Sequence, residues 1–423
     1  MKRSPWAWIP SLYFAQAVPF VVVMTLSVIM YKNLGISNTD IALYTSWLYL
    51  PWVLKPLWSP VAELFSIKRR WIVVLQFLVG AAFACVALAI PTDRVMQMSL
   101  ALLFLMAFAS ASHDIAADGF YMLALPQHQQ AAFVGVRSAF YRLANIAGQG
   151  GLVYLAGELT ESTGSAATAW SQVFWLIAAA FVTLTLWHAW ALPRPASDTP
   201  GPGWAASSKL VGEFFAIFGR FFKKPGIAVT LGFLLLYRFP EAQLLKLASP
   251  FLLDAVDKGG LGLSTATVGL VYGGVGLCAL TLGGLLGGWI ISKIGLKKAL
   301  WPLVAAMHVP NVAFLILAMT HPTSLVAISA ALAVEQFGYG LGFTAYLMYM
   351  IHVADGPQKT AHYAICTGFM ALGMMIPGMW SGWLQDHIGY VPFFAWVLVA
   401  TLPSVAMAAL IKVPEDFGRK AEA

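Results

Sequence analysis

Polar residues are scarce along this chain, and where they fall divides it into long apolar runs of helical length. The runs cover approximately 6–31, 40–60, 71–91, 97–125, 131–156, 169–191, 225–253, 265–291, 299–319, 324–352, 361–384 and 391–411. Each is long enough to cross a bilayer as an α-helix, which needs about 20 residues. In hydrocarbon the helix is the form that satisfies its own backbone. The pattern therefore predicts an all-α polytopic membrane protein of twelve transmembrane helices. The longest polar interruption runs from Pro193 to Lys224 and divides the chain into two halves of six. Its first part is rich in proline and glycine and reads as a linker. Its second part, from Ser207, places Leu210, Phe214, Ile217, Phe218 and Phe221 at helical spacing, flanked by Arg220, Lys223 and Lys224. Such a pattern predicts an amphipathic helix lying on the membrane surface. The expected organisation is a lobe over 1–192, a cytoplasmic linker over 193–224 and a second lobe over 225–423.

Composition sharpens this picture. Of 423 residues, 60% are hydrophobic and 10% are charged, with a mean hydropathy of +0.76. Soluble domains carry about 25% charge, so little of the chain is left for one. The net charge of +7 is explained by topology rather than by nucleic acid. With the N-terminus inside, seventeen of the 25 lysines and arginines fall in cytoplasmic segments. Only Lys32, Arg94 and Lys258 fall in outer loops. This is the positive-inside bias, and twelve spans then put both termini in the cytoplasm. The first apolar stretch has no small-residue cleavage site and reads as a span rather than a removed signal peptide. Cys85, Cys278 and Cys366 lie in apolar runs without metal or disulfide spacing. His308, His352 and His362 also lack a metal-like spacing. No phosphate-binding glycine loop and no nucleophile–base constellation is visible, so neither ATP-driven transport nor an enzyme is expected, and no cofactor.

The charges inside the spans carry the candidate chemistry, because intramembrane charge is expensive and usually paired or functional. Asp114 and Asp118 lie four apart, on one face of the fourth helix. The turn Pro126 to Gln130 folds the fifth run back. A hairpin centred near His128 sets Asp114 opposite Arg142, and Asp118 opposite Arg137 within one residue. Two acid–arginine pairs result, or one pair and a free ligand-binding arginine; a structural clasp between two helices is the plainer alternative. His113 points about 100° away from Asp114 and reads as a hydrogen-bonded packing residue. In the seventh span Arg238 and Glu241 are three apart and can pair on one face. Pro240 and Pro250 should kink or break that helix. Substrate or gating contact competes there with an internal ion pair. Lys246 either works in the site or snorkels. Glu335 precedes glycines 338, 340 and 342, and proton coupling competes with a helix-starting role. Lys55 either gates or snorkels at the inner end of the second span. Tyr13 and Gln16, before Pro19, are candidate lining residues.

Two loops repeat a motif across the halves. Gly287-Gly288-Trp289-Ile290-Ile291-Ser292-Lys293-Ile294-Gly295-Leu296-Lys297-Lys298 joins the eighth and ninth runs. Ser59-Pro60-Val61-Ala62-Glu63 to Lys68-Arg69-Arg70 stands at the matching place in the first half. Gly382 to Gly389 is a weaker third echo. These loops resemble those of the major facilitator superfamily, although Ser292 stands where that family usually has an acid. The resemblance implies two six-helix lobes. It also implies gating roles for Glu63, Arg69, Arg70, Gly288, Gly295, Lys297 and Lys298.

Within that superfamily four stretches resemble the AmpG-type muropeptide permease and acetyl-CoA transporter branch. They are Lys55-Pro56-Leu57-Trp58-Ser59-Pro60, Ser110 to Asp118, Tyr237-Arg238-Phe239-Pro240-Glu241-Ala242 and Glu335 to Gly342. His113 replaces a commoner glutamine. The fifth span lacks the glycine-proline signature of drug/proton antiporters, which favours uptake. The resemblance implies a monomeric permease of the bacterial inner membrane. It would take up an anionic, sugar-containing small solute such as an anhydro-muropeptide, coupled to protons, by alternating access. Arg142 and Arg238 would hold the solute, with Tyr13 and Gln16 lining its path. Asp114, Asp118, Arg137, Glu241 and Glu335 would form the charge pairs or carry the proton. A siderophore or drug-like solute permease is the alternative, and a transporter-like sensor or membrane enzyme a third.

Overall fold

The computed structural model describes residues 3–65, 67–196, 198–199, 207–356 and 359–419. Side chains are described within these ranges except at 59–65, 127–128, 131–132, 134, 207–211, 214 and 359–360. The structure is all-helical among the described residues. In chain order the helices are α1 Pro5–Asn33, α2 Asn38–Trp47, α3 Leu50–Phe65 and α4 Lys68–Ala89. There follow α5 Val95–Ala124, α6 Gln127–Ile146, α7 Val153–Thr163 and α8 Ala166–Ala191. Then come α9 Ser207–Phe222, α10 Ile227–Leu236, α11 Phe239–Leu253 and α12 Thr265–Ile294. The chain closes with α13 Leu296–Thr320, α14 Leu325–Ala354, α15 Lys359–Ile388 and α16 Tyr390–Leu410.

Nine of these helices, among the described residues, are long and apolar enough to cross a membrane. The other three expected runs have a different character. The second is split at Leu48–Tyr49 into α2 and α3, and the seventh is split at Tyr237–Arg238 into α10 and α11. The fifth is continuous through a π-helical turn, Ala147–Leu152, but its first part is amphipathic rather than uniformly apolar. The seventh breaks for a local reason. Pro240 has no N–H to offer the carbonyl of Leu236, and its ring would collide with that carbonyl.

The chain divides into two compact units: 1–30 with 54–216, and 31–53 with 217–423. The segment from Tyr31 to Val53 therefore packs with the second unit, although it lies in the first half of the sequence.

In the first unit α4 packs on α5 and α8, and α1 on α6. Trp8, Tyr13, Phe120, Tyr121 and Leu192 share a core cluster at one end of these helices. In the second unit α14 is the central element, packed on α12 and α13. Glycine makes this possible where backbones nearly touch. A Cβ on Gly340 would strike the carbonyl of Leu280, and one on Gly338 the carbonyl of Ala306. Small residues at such crossings substitute close packing for a hydrophobic driving force absent in lipid. The expected linker helix is present as α9, and Phe218 and Phe221 at its end pack on the second unit's core. The proline- and glycine-rich part, 200–206, lies outside the described residues.

Candidate functional site

In the first unit the α5–α6 hairpin brings Arg137 onto Asp118, with Nη2 donating to Oδ1 at 2.8 Å. Tyr13 of α1 donates its hydroxyl to the same Oδ1 at 3.2 Å. The Arg137 guanidinium also lies over the rings of Tyr13 and Tyr121, at 4.3 and 4.8 Å. A cation flanked by two aromatic faces and one carboxylate is held by charge, quadrupole and hydrogen bond together. The cluster is not sealed, since Asp118 keeps 42% of its side-chain surface open. One turn earlier Asp114 accepts from Lys55 of α3 at 3.2 Å. Lys55 is a partner that the hairpin argument did not supply. Arg142 is exposed, about 140° around α6 from Arg137. Gln16 is buried with its carbonyl oxygen unpartnered.

His113 faces away from the acids. Its Nε2 accepts from Gln76 Nε2 at 3.1 Å, and Gln76 Oε1 accepts from His188 Nδ1 at 2.9 Å. Ser11 completes the chain at 2.9 Å from His188 Nε2. These side chains tie α1, α4, α5 and α8 together.

The second unit overturns one expectation. Arg238 and Glu241 do not pair. The three-residue rule holds only within a continuous helix, and Arg238 sits at the break, with φ −103° and ψ 19°. Its guanidinium donates to the Tyr339 hydroxyl and lies 4.7 Å from the Phe343 ring centre. Its Nε is buried without a partner. Glu241 turns instead to α13, where Oε1 meets His308 Nδ1 at 2.6 Å and Asn311 Nδ2 at 3.3 Å. Lys246, on the same helix, is buried rather than snorkelling. It donates to Thr45 of α2 at 2.9 Å and lies 5.5 Å from the Tyr49 ring centre. Glu335 is 1% exposed; one oxygen accepts from Gln336 at 2.9 Å and the other has no partner.

A third polar group joins Lys32 and Asn38 to the ends of α11, α15 and α16. Lys32 meets Asp254 at 2.6 Å. Asn38 donates to Gln385 at 2.6 Å and to Tyr390 at 3.0 Å, and Tyr390 donates to Asp254 at 2.6 Å. Thr39 gives both its N–H and its hydroxyl to Asp386. A polar pocket of about 420 Å³ opens beside them.

The loop residues separate by role. Glu63 lies outside the described side chains. Asp198 accepts the backbone N–H groups of Lys68 and Arg69 at 2.8 and 3.1 Å, capping α4. The Arg69 side chain caps the carbonyls of Ala189 and Leu192 at the end of α8. Arg70 and Lys298 are exposed. Gly295 has φ +81°, and Lys297 pairs with Glu415 at 2.9 Å. Gly288 has room for a side chain, whereas a Cβ on Gly287 would meet the Leu341 carbonyl at 3.0 Å. Ser292, in the usual acid position, bonds back to the Trp289 carbonyl at 2.7 Å.

Reasoning from sequence missed His308, Asn311, Ser404 and the Lys32–Asn38–Asp254 group. One signal was available: His308 and Asn311 are polar residues inside an otherwise apolar run.

Helices of this length and apolarity, with charges paired inside them, make a multi-pass membrane protein. The model of the Major Facilitator Superfamily matches residues 11–376, and the chain belongs to that family. It is similar to the anhydromuropeptide permease of Escherichia coli, 24% identical over 375 residues, covering 87% of this chain and 72% of that one. A transporter designated AmpG 4 from Rickettsia conorii is 24% identical over 404 residues, covering 92% of both. Among solved structures, the nucleoside transporter NupG is 15% identical with a TM-score of 0.68, covering 95% of this chain and 96% of that one. A POT family transporter in complex with 5-aminolevulinic acid is 10% identical with a TM-score of 0.71, covering 95% and 94%. As a member of the Major Facilitator Superfamily, this chain is a transporter rather than an enzyme.

Proposed function

We propose that this protein takes up an anionic, sugar-containing solute, such as an anhydro-muropeptide, across the bacterial inner membrane with protons. It works as a monomer by alternating access of two six-helix lobes, 1–192 and 225–423, joined by 193–224. Its twelve spans leave both termini in the cytoplasm. The observation that carries the reading is Arg238, a buried guanidinium with an unpartnered Nε and, among the described residues, no carboxylate in ion-pair contact. A buried cation left this way is costly, and a solute carboxylate would complete it through paired N–H···O bonds. The name carried by the Escherichia coli relative supplies the solute class. Arg142 is the second candidate cation, and Tyr13 and Gln16 contribute polar contacts along the path. The proton resides on a carboxylate among Asp114, Asp118, Glu241 and Glu335, with Arg137 as the counter-charge in the first unit. The loops containing Glu63, Arg69, Arg70, Gly288, Gly295, Lys297 and Lys298 serve as gating elements.

The test is uptake of labelled GlcNAc-anhydroMurNAc into proteoliposomes with and without an inward proton gradient, beside a panel of siderophores. Gradient-stimulated accumulation, lost in Arg238→Ala, is the expected result. No disaccharide flux from folded protein refutes the solute assignment, and siderophore flux replaces it.

A further inference from the structure

Four buried side chains on three helices surround the break between α10 and α11. They are Glu241 of α11, His308 and Asn311 of α13, and Ser404 of α16, at 0%, 5%, 1% and 0% exposure. Their hydrogen bonds can be assigned one hydrogen at a time. Ser404 Oγ is bonded to the carbonyl oxygen of Tyr237, which can only accept, so the single hydroxyl hydrogen of Ser404 is spent there. Ser404 Oγ also lies 2.8 Å from His308 Nε2. With its hydrogen committed, the oxygen must accept, so His308 carries a hydrogen on Nε2. The other ring nitrogen, Nδ1, lies 2.6 Å from Glu241 Oε1. An approach that close needs a proton between the two atoms.

We infer that the Glu241–His308 pair is a proton-binding site of this transporter, and that the structure holds it in its proton-loaded form. The proton sits on Nδ1, as imidazolium and carboxylate, or on Oε1, as imidazole and carboxylic acid. Both forms are neutral overall and carry one proton more than imidazole plus carboxylate. Neutrality suits a group this deeply buried, where a net charge would be costly. The inference rests on the proton-coupled reading above and chooses Glu241 from its four carboxylates.

Proton loss has a defined structural consequence. The departing proton leaves one hydrogen for the two ring nitrogens. Placed on Nδ1 it keeps the bond to Glu241, now a carboxylate, and leaves Nε2 bare. Bare Nε2 is an acceptor, so the Ser404 hydroxyl turns from the Tyr237 carbonyl to the imidazole. The Tyr237 carbonyl precedes Arg238 and is freed from its helix by the break. Proton occupancy thus sets whether the backbone leading into Arg238 is anchored to α16.

Other ionisable groups act on the pair. Arg238 and Tyr237 stand at the break, and Glu335, Tyr339 and Tyr346 of α14 complete the electrostatic neighbourhood. Lys246 of α11 is bonded to Thr45. The sequence of α16 contains no charged residue, and α15 has none between His362 and Asp386.

The direct test is solid-state nuclear magnetic resonance of ¹⁵N-histidine-labelled protein in liposomes, with His308→Gln to assign the signal. Near neutral pH, His308 should carry hydrogen on Nε2, and raising the pH should move it to Nδ1. Glu241→Gln supplies a permanent N–H donor to Nδ1, so its His308 should keep Nε2–H without a pH response. A His308 with bare Nε2 near neutral pH would overturn the proton assignment. In proteoliposomes, Glu241→Gln should reduce gradient-stimulated accumulation to the level of empty liposomes. Stimulation persisting in that variant would overturn the coupling role. A wild-type protein that moves no disaccharide would refute the solute reading alone, because the resonance experiment needs no solute.

Discussion

Gly295 and Gly389 offer a matched pair of perturbations. Each ends a long helix and starts the next, seven residues after a motif glycine, Gly288 and Gly382. Their backbones are nearly the same, φ +81° and ψ 157° against φ +80° and ψ 171°. Alanine in this region costs about 1–3 kcal/mol at either place. Their surroundings differ. A Cβ at Gly389 meets nothing within 4 Å, whereas one at Gly295 lies 2.9 Å from the Glu415 carbonyl oxygen and 3.6 Å from that of Phe417. Overpacking adds about 1–3 kcal/mol, so Gly295→Ala should cost roughly 2–6 kcal/mol and Gly389→Ala only the backbone share. The added strain should be relieved by lifting the C-terminal segment, because Leu296 N donates to Phe417 O at 2.8 Å only while that segment stays docked. Thermal unfolding in detergent measures the difference in stability. Hydrogen exchange over 411–419 measures the docking. Equal destabilisation by the two variants, with unchanged exchange of the segment, would refute this reasoning.

Three further outcomes are expected. The Glu415 carboxyl is held below its ordinary value by the hydrogen bond and charge of Lys297. A depressed carboxylate stabilises above its unfolded value and stops doing so as pH falls through the folded one, so the C-terminal segment should become more protease-sensitive in the acid range, and less pH-dependently in Lys297→Ala. In a double-mutant cycle of Tyr13→Phe and Asp118→Asn followed by thermal unfolding, the coupling should be roughly 1.5 kcal/mol, the bottom of the range for a hydrogen bond to a charged group because the carboxylate is partly open. Gly340→Ala, which drives a Cβ into the α12 backbone, should destabilise by about 1–3 kcal/mol, while Gly151→Ala, helical and with nothing within 4 Å, should not lower the melting temperature.

The helices were legible because apolar runs of membrane length admit few other structures. A short turn also fixes the register of a helical hairpin, which is why Arg137 could be set against Asp118 by counting. Counting cannot supply partners from helices distant in sequence. Lys55 meets Asp114 across 59 positions, and His308 meets Glu241 across 67. The Arg238–Glu241 expectation needs a continuous helix, and Pro240 breaks it at Arg238. The motif glycines show the same limit. Spacing drew attention to Gly288, whereas the backbone contact falls on its neighbour Gly287.

The group around Asn38 has a consequence for timing. Lys32, Asn38 and Thr39 belong to a segment that enters and leaves the second unit through residues of the first. Any rearrangement that carried this segment away would have to give up Lys32–Asp254, Asn38–Gln385, Asn38–Tyr390 and both Thr39–Asp386 bonds. Asn38 cannot be released by halves, because its amide hydrogens serve several acceptors while its oxygen receives from Lys32 at 2.8 Å. Bonds broken together make a single barrier rather than a series of small ones. Asn38→Ala should therefore speed hydrogen exchange over 38–47, the segment this cluster fastens within the second unit.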